Sequence, residues 1–201
     1  MVKISPYKKS IHQIGLDPNI ENIIWDFYVT RSFASSASQK RSVKEFGISQ
    51  IPLKKMMLKA GIAEGKSKII PCTTMPGTIR ELGLETTSKD NNGKTVEKEI
   101  DIDEPRLCCI HKFTVTDEQG ISPNGSPAEC LLTHIRNAFA HGNTYFFDNG
   151  NVLLEDKDGN KITARILLSV QSLIDWIILV DKGGAVYPSL HNPLEAKNVT
   201  E

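Results

Sequence analysis

Arg136 and His141 stand with four residues between them in the run Arg136-Asn137-Ala138-Phe139-Ala140-His141. Arginine offers a fixed fork of donors suited to phosphate oxygens, and histidine exchanges a proton near neutral pH. Together they could cleave RNA without a metal, the arginine holding the scissile phosphate and the histidine handling a proton of the reacting hydroxyls. In a chain with 6 Arg and 5 His, chance supplies about 0.15 such pairs at one fixed spacing, so spacing alone is weak. A solvated helix face, or a histidine interacting with a helix C-terminus, would use the same residues.

The surrounding segment is well marked as a helix. Ser126 can cap it, Pro127 suits the first turn, Glu129 completes a capping box, and Gly142 ends it. At roughly 100° per residue, Leu131, Leu132, Ile135, Ala138 and Phe139 gather on one side. Thr133, His134, Arg136, Asn137, Ala140 and His141 take the other. Arg136 and His141 flank this polar face with Asn137 and the small Ala140 between them, leaving room for a phosphate. His134, two turns back from His141, reads either as a second RNA contact or as a buried or rim histidine.

The rest of the chain reads as a single unit over residues 1–201 with a core from about 17 to 182. A helix is predicted from Asp17 and Pro18 through Ile20, Ile23, Ile24 and Phe27, and a second through "IPLKKMMLKAG" to Gly61. Residues 71–105 read as an excursion or flexible loop with a "DNNG" turn, and "CCIHKFTVTDE" as a strand or extended piece. After the motif helix, turn signals at Asn149-Gly150 and Asp158-Gly159 predict a small hairpin or meander. "ARILLSVQSLIDWIILVDKGG" then reads as a long closing helix with Ile166, Val170, Leu173, Ile174 and Ile177 on one face, followed by a loose tail over 185–201.

Composition sets bounds on function. The 201 residues carry 24 basic and 24 acidic side chains, which argues against a protein that coats nucleic acid with its whole surface. The charge is uneven: residues 1–80 hold 13 Lys/Arg against 5 Asp/Glu, and residues 81–201 hold 11 against 19. "QKRSVKEF" and "PLKKMMLKAG", with Lys54 and Lys55, are the places for a phosphate-binding patch, although solvated helix faces are the default for such lysines. Cys72, Cys108, Cys109 and Cys130 show no metal-ligand spacing and read as buried small hydrophobes, so neither metal nor cofactor is expected. The N-terminus lacks the apolar core of a secretory signal, and "ILLSVQSLIDWIILV" is interrupted by Ser169, Gln171, Ser172 and Asp175. The expectation is a cytoplasmic protein without a membrane partner.

"HIRNAFAHG", followed by a short strand-rich insertion and a long amphipathic helix, resembles the HEPN superfamily, whose signature is Arg, a polar residue and a following His on one helix. The match covers roughly 126–182 and looks most like stand-alone HEPN proteins of plasmids, prophages and bacterial defence loci. The resemblance implies a mainly α fold: an antiparallel helical bundle with a small β-hairpin or meander between the motif helix and the final helix. It implies a metal-independent endoribonuclease in toxin-antitoxin or antiphage defence. Arg136 would polarise the scissile phosphate, Asn137 would help orient it and His141 would move the proton. It further implies a homodimer whose motif helices share one cleft, and an antitoxin or regulatory protein as partner. Members silenced by a nucleotidyltransferase carry a tyrosine two residues beyond the motif histidine; here that position is Asn143, and the nearest tyrosine is Tyr145. The alternatives are a HEPN protein that binds RNA or nucleotide without cutting, and a helical dimerisation or adaptor module.

Overall fold

A computed structural model of the chain describes residues 1–5, 9, 11–31, 51–70, 74–111, 113–116, 120–123 and 126–191. The serine-rich stretch 32–42, the basic "QKRSVKEF" at 39–46, Cys72 and residues 192–201 lie outside the described residues. In chain order the elements are α1 (Pro18–Trp25), α2 (Leu53–Lys59), β1 (Ser67–Ile70), α3 (Met75–Glu81), β2 (Thr87–Lys89), β3 (Thr95–Glu97) and β4 (Arg106–Ile110). There follow β5 (Phe113–Thr116), β6 (Gly120–Pro123), α4 (Pro127–Ala140), β7 (Thr144–Phe146), β8 (Asn151–Asp158), β9 (Lys161–Ser169), α5 (Val170–Val180) and α6 (Pro188–His191).

The centre of the molecule is a mixed sheet of five strands in the order β1-β4-β9-β8-β7. β1 runs parallel to β4, and the other pairs are antiparallel. Alternating side chains divide between two apolar clusters, as the pleat requires. Leu107, Cys109, Val152, Leu154, Ala164, Ile166 and Leu168 face the layer formed by α1, α2, α4 and α5, where Phe27, Tyr28, Met56, Leu131, Phe139 and Trp176 are buried. Cys108, Ile110, Leu153 and Leu167 face the opposite way, against Met75, Ile79, Leu82, Leu84 and Ile100. The fold is therefore α/β, with a sheet covered on both faces.

This overturns the expectation of a mainly α, HEPN-like antiparallel bundle. The expected hairpin insertion is three strands of the main sheet, and the first six residues of the expected closing helix, 164–169, belong to β9. Strands buried on both faces read as continuous apolar runs, which periodicity does not separate from a buried helix. "ARILLS" is close to such a run, its one charge, Arg165, being paired with Glu155 at 2.7 Å: Ala164, Ile166 and Leu168 enter one cluster and Leu167 the other. The chain turns helical at Ser169, whose hydroxyl accepts from the Ser172 backbone N–H at 3.0 Å and caps α5. Residues 71–105 also contribute to the core, through α3 and the buried Leu82, Leu84 and Ile100, while the β2–β3 hairpin turns at the expected "DNNG". The start of the expected loose tail is docked: buried Asp181 accepts from the backbone N–H groups of Val186 and Tyr187.

The helices follow the sequence signals more closely. Asp17 Oδ1 accepts from the Asn19 backbone N–H at 2.7 Å to cap α1, which runs on as a π-helical turn over Asp26–Thr30. α2 buries Met56 and Met57 and leaves Lys54 and Lys55 in solvent. No described helix is long and apolar enough to cross a membrane.

Candidate functional site

α4 is fixed at both ends. Ser126 and Glu129 form the reciprocal capping box, with the Ser126 backbone N–H donating to Glu129 Oε2 at 2.6 Å and the Glu129 N–H to Ser126 Oγ at 3.3 Å. At the other end the Gly142 N–H donates to the Phe139 carbonyl and the Asn143 N–H to the Ala138 carbonyl, the paired bonds of a Schellman turn. Gly142 adopts φ +66°, which the turn requires and a side chain resists. His141 is the last residue before that glycine, exposed at the helix end.

The apolar side of α4 is as projected: Leu131, Leu132, Ile135, Ala138 and Phe139 are all buried. Phe139 stacks on Tyr28 at 5.9 Å, and the Tyr28 hydroxyl donates to the Leu173 carbonyl. The polar side is not uniformly exposed. His134 is only 2 % exposed, because that part of the helix faces β4 and β8 rather than solvent. Burial removes it as an RNA contact.

His134 joins a chain of side chains that reaches the surface. Its Nδ1 donates to Asp156 Oδ2 at 2.7 Å, and its Nε2 donates to the Ile110 carbonyl at 2.8 Å. With an acceptor on each nitrogen, the ring is held as imidazolium. Burial pushes the imidazole down, but Asp156, the neighbouring Cys130 thiol and the Ile110 carbonyl outweigh it and raise its pKa to about 9. Burial likewise opposes ionisation of Asp156, yet the bonds from His134 and Asn137 hold its carboxyl below the usual range. Asn137 Nδ2 donates to the same Asp156 Oδ2 at 3.1 Å, and Arg136 Nη1 donates to Asn137 Oδ1 at 3.0 Å.

The structure thus joins Arg136 and Asn137 directly. It leaves His141 on the next turn, its ring without a hydrogen bond among the described residues. Lys54 and Lys55 belong to α2 and take no part in this network. Cys108, Cys109 and Cys130 are buried and form no disulfide among the described residues, and the Cys130 thiol donates to the Ile110 carbonyl at 3.0 Å. Among the described residues no group of three or more His, Cys, Asp or Glu side chains could hold a metal ion, and both nitrogens of His134 are already engaged.

Asp156 belongs to no sequence motif. It lies on β8, 19 positions after Asn137, where β8 shifts register against β9 between Asp156 and Lys157. Within "LLEDKDGN" it reads as one of several acids leading into a turn. Only the pairing of β8 beneath α4 separates it from Asp158, which is exposed.

The fold and site together define an α/β protein whose motif helix packs on a mixed sheet and offers an arginine, oriented from beneath, at its polar end. Comparison with protein-family models, curated proteins and solved structures finds no match to this chain.

Proposed function

We propose that the C-terminal end of α4 acts on RNA as a metal-independent endoribonuclease, in the cytoplasm. The reading rests on the side chains, since the bundle that the resemblance implied is absent. The observation that carries it is the Arg136 guanidinium held at Nη1 by an amide that is itself oriented from a buried carboxylate, one turn before an exposed imidazole. A guanidinium held in this way is suited to bind a phosphodiester with donors left over, because arginine has five N–H groups and Asn137 takes one.

In the reaction, His141 accepts the proton of the ribose 2′-hydroxyl as that oxygen attacks phosphorus, and the 5′-oxygen leaves and takes up a proton. The products are a 2′,3′-cyclic phosphate and a 5′-hydroxyl. Arg136 neutralises the charge that builds on the phosphoryl oxygens. One α4 supplies one histidine for two proton transfers, so a homodimer in which a second copy contributes its own His141 completes the site. DNA lacks the 2′-nucleophile and stays intact.

A second reading is RNA or nucleotide binding without cleavage. It is favoured by His141, whose ring has no hydrogen bond among the described residues to fix it as a general base.

Incubation with total RNA in EDTA, beside Arg136→Ala and His141→Ala, separates these readings. The expected outcome is cleavage by the wild type and loss of about 10²-fold or more in each variant. Equal products from all three proteins remove Arg136 and His141 from the mechanism. Binding without products selects the second reading, and no RNA interaction from a stable dimer leaves α4 as a dimerisation or adaptor surface.

A further inference from the structure

We propose that Asp156 and His134 are positioning residues for Arg136, acting through the side-chain amide of Asn137, so that a carboxylate on β8 sets how α4 presents its guanidinium to an RNA phosphate. The proposal rests on the RNA-acting reading of this site.

A primary amide has two orientations related by a flip, one with oxygen and one with nitrogen toward a given neighbour. Asn137 sits between Asp156 and Arg136, which demand opposite things of it. An ionised carboxylate only accepts, so the amide nitrogen must face Asp156. The oxygen is then turned toward Arg136, where it accepts from Nη1 at 3.0 Å. The flipped amide would set oxygen against carboxylate and N–H against guanidinium, losing both bonds.

His134 serves one step further back. Asp156 Oδ2 takes both His134 Nδ1 and Asn137 Nδ2, and the side chains of His134 and Asp156 are each 3 % exposed. The imidazolium supplies the positive charge that lets a carboxylate stay ionised at that depth. The Ile110 carbonyl on β4 fixes the ring from its other nitrogen, so sheet and helix are tied at one point. At the outer end Arg136 Nε is also buried and makes no hydrogen bond among the described residues, where Nη1 is the guanidinium's anchor.

The chain of bonds carries orientation, not protons. Asn137 cannot relay a proton between Asp156 and Arg136, and Arg136 remains charged throughout. None of these inner residues touches substrate.

The test pairs a ligand-free readout with RNA turnover in full-length protein. ¹H–¹⁵N spectra report the Arg136 Nε–H resonance, assigned by its loss in Arg136→Lys. It is expected to be sharp and slowly exchanging in the wild type. In Asn137→Ala, which leaves the buried pair intact, and in Asp156→Asn it is expected to broaden or exchange rapidly. RNA turnover, as kcat/KM in EDTA, is expected to fall between about 10-fold and 100-fold in each, the scale of a misplaced binding group. Asn137→Ala combined with Asp156→Asn should lose no more than the worse single variant, since both break one path.

An unchanged Arg136 resonance in Asn137→Ala overturns the proposal. So does a changed resonance with unchanged turnover and RNA affinity, or full additivity of the two substitutions. A wild type that neither cuts nor binds RNA defeats the proposed function and the RNA half of this inference, and the spectra then decide the positioning half separately.

Discussion

His134 Nδ1 and Asp156 Oδ2 lie 2.7 Å apart with both side chains 3 % exposed, one projecting from α4 and the other from β8. A buried ion pair of this kind ties helix to sheet at one register, and neither partner can be removed without stranding the other. Its net contribution is small beside that penalty, because both charges have been taken out of water.

His134→Ala or Asp156→Ala is therefore expected to cost about 3–5 kcal/mol, the range for leaving a buried charge unpaired. Replacing both by leucine should cost markedly less than the sum of the single losses, since no charge is then stranded. Urea unfolding of the three variants measures this. Single losses below about 1 kcal/mol would mean that water reaches the pair after all.

The same pair sets a pH window. The imidazole is raised from 6.5 to about 9, so its contribution is complete below pH 6.5 and is lost as pH rises through 9. The carboxyl is lowered from 3.8, so its contribution is present above that value and is lost as pH falls through the depressed one. Stability from this pair should thus be greatest between about pH 4 and 6.5 and decline on the alkaline side by on the order of 3 kcal/mol. Melting temperatures from pH 4 to 10 should show that alkaline decline in the wild type and a flatter one in His134→Ala; matching slopes would assign it to other groups.

Gly142→Ala isolates the helix end. Nothing lies within 4 Å of the added methyl group, so the cost is conformational alone, from φ +66°. About 1–2 kcal/mol is expected for an alanine held in the left-handed region. Thermal unfolding measures it.

Trp176→Phe tests how the helical layer is joined. Trp176 is fully buried, and its Nε1 donates to the Met56 carbonyl at 2.8 Å, linking α5 to the middle of α2. The phenyl ring keeps most of the apolar burial and loses this bond, while the carbonyl keeps the Ala60 backbone N–H at 3.0 Å, so the cost is about 0.5–1.5 kcal/mol. A denaturant midpoint equal to the wild type would show that the Ala60 bond satisfies the carbonyl by itself.

The sequence by itself determined the local structure wherever the cause is local. Ser126, Pro127, Glu129 and Gly142 delimit α4 because caps and positive-φ turns depend on neighbouring residues, and the apolar positions from Leu131 to Phe139 mark its buried side for the same reason. Asp17 and Pro18 did as much for α1, and the glycines at 150 and 159 for the turns beside β8. What only the tertiary structure decided was every relation across distance. "ARILLS" fits a buried helix or a buried strand until β4, more than fifty residues earlier, pairs with it. His134 projects onto the polar side of α4 yet is buried, because β8 and β4 pass beneath that side and supply its two acceptors. Asp156 has no local mark of its role, since a carboxylate's partner is chosen by where the sheet brings it and not by the residues next to it in the chain.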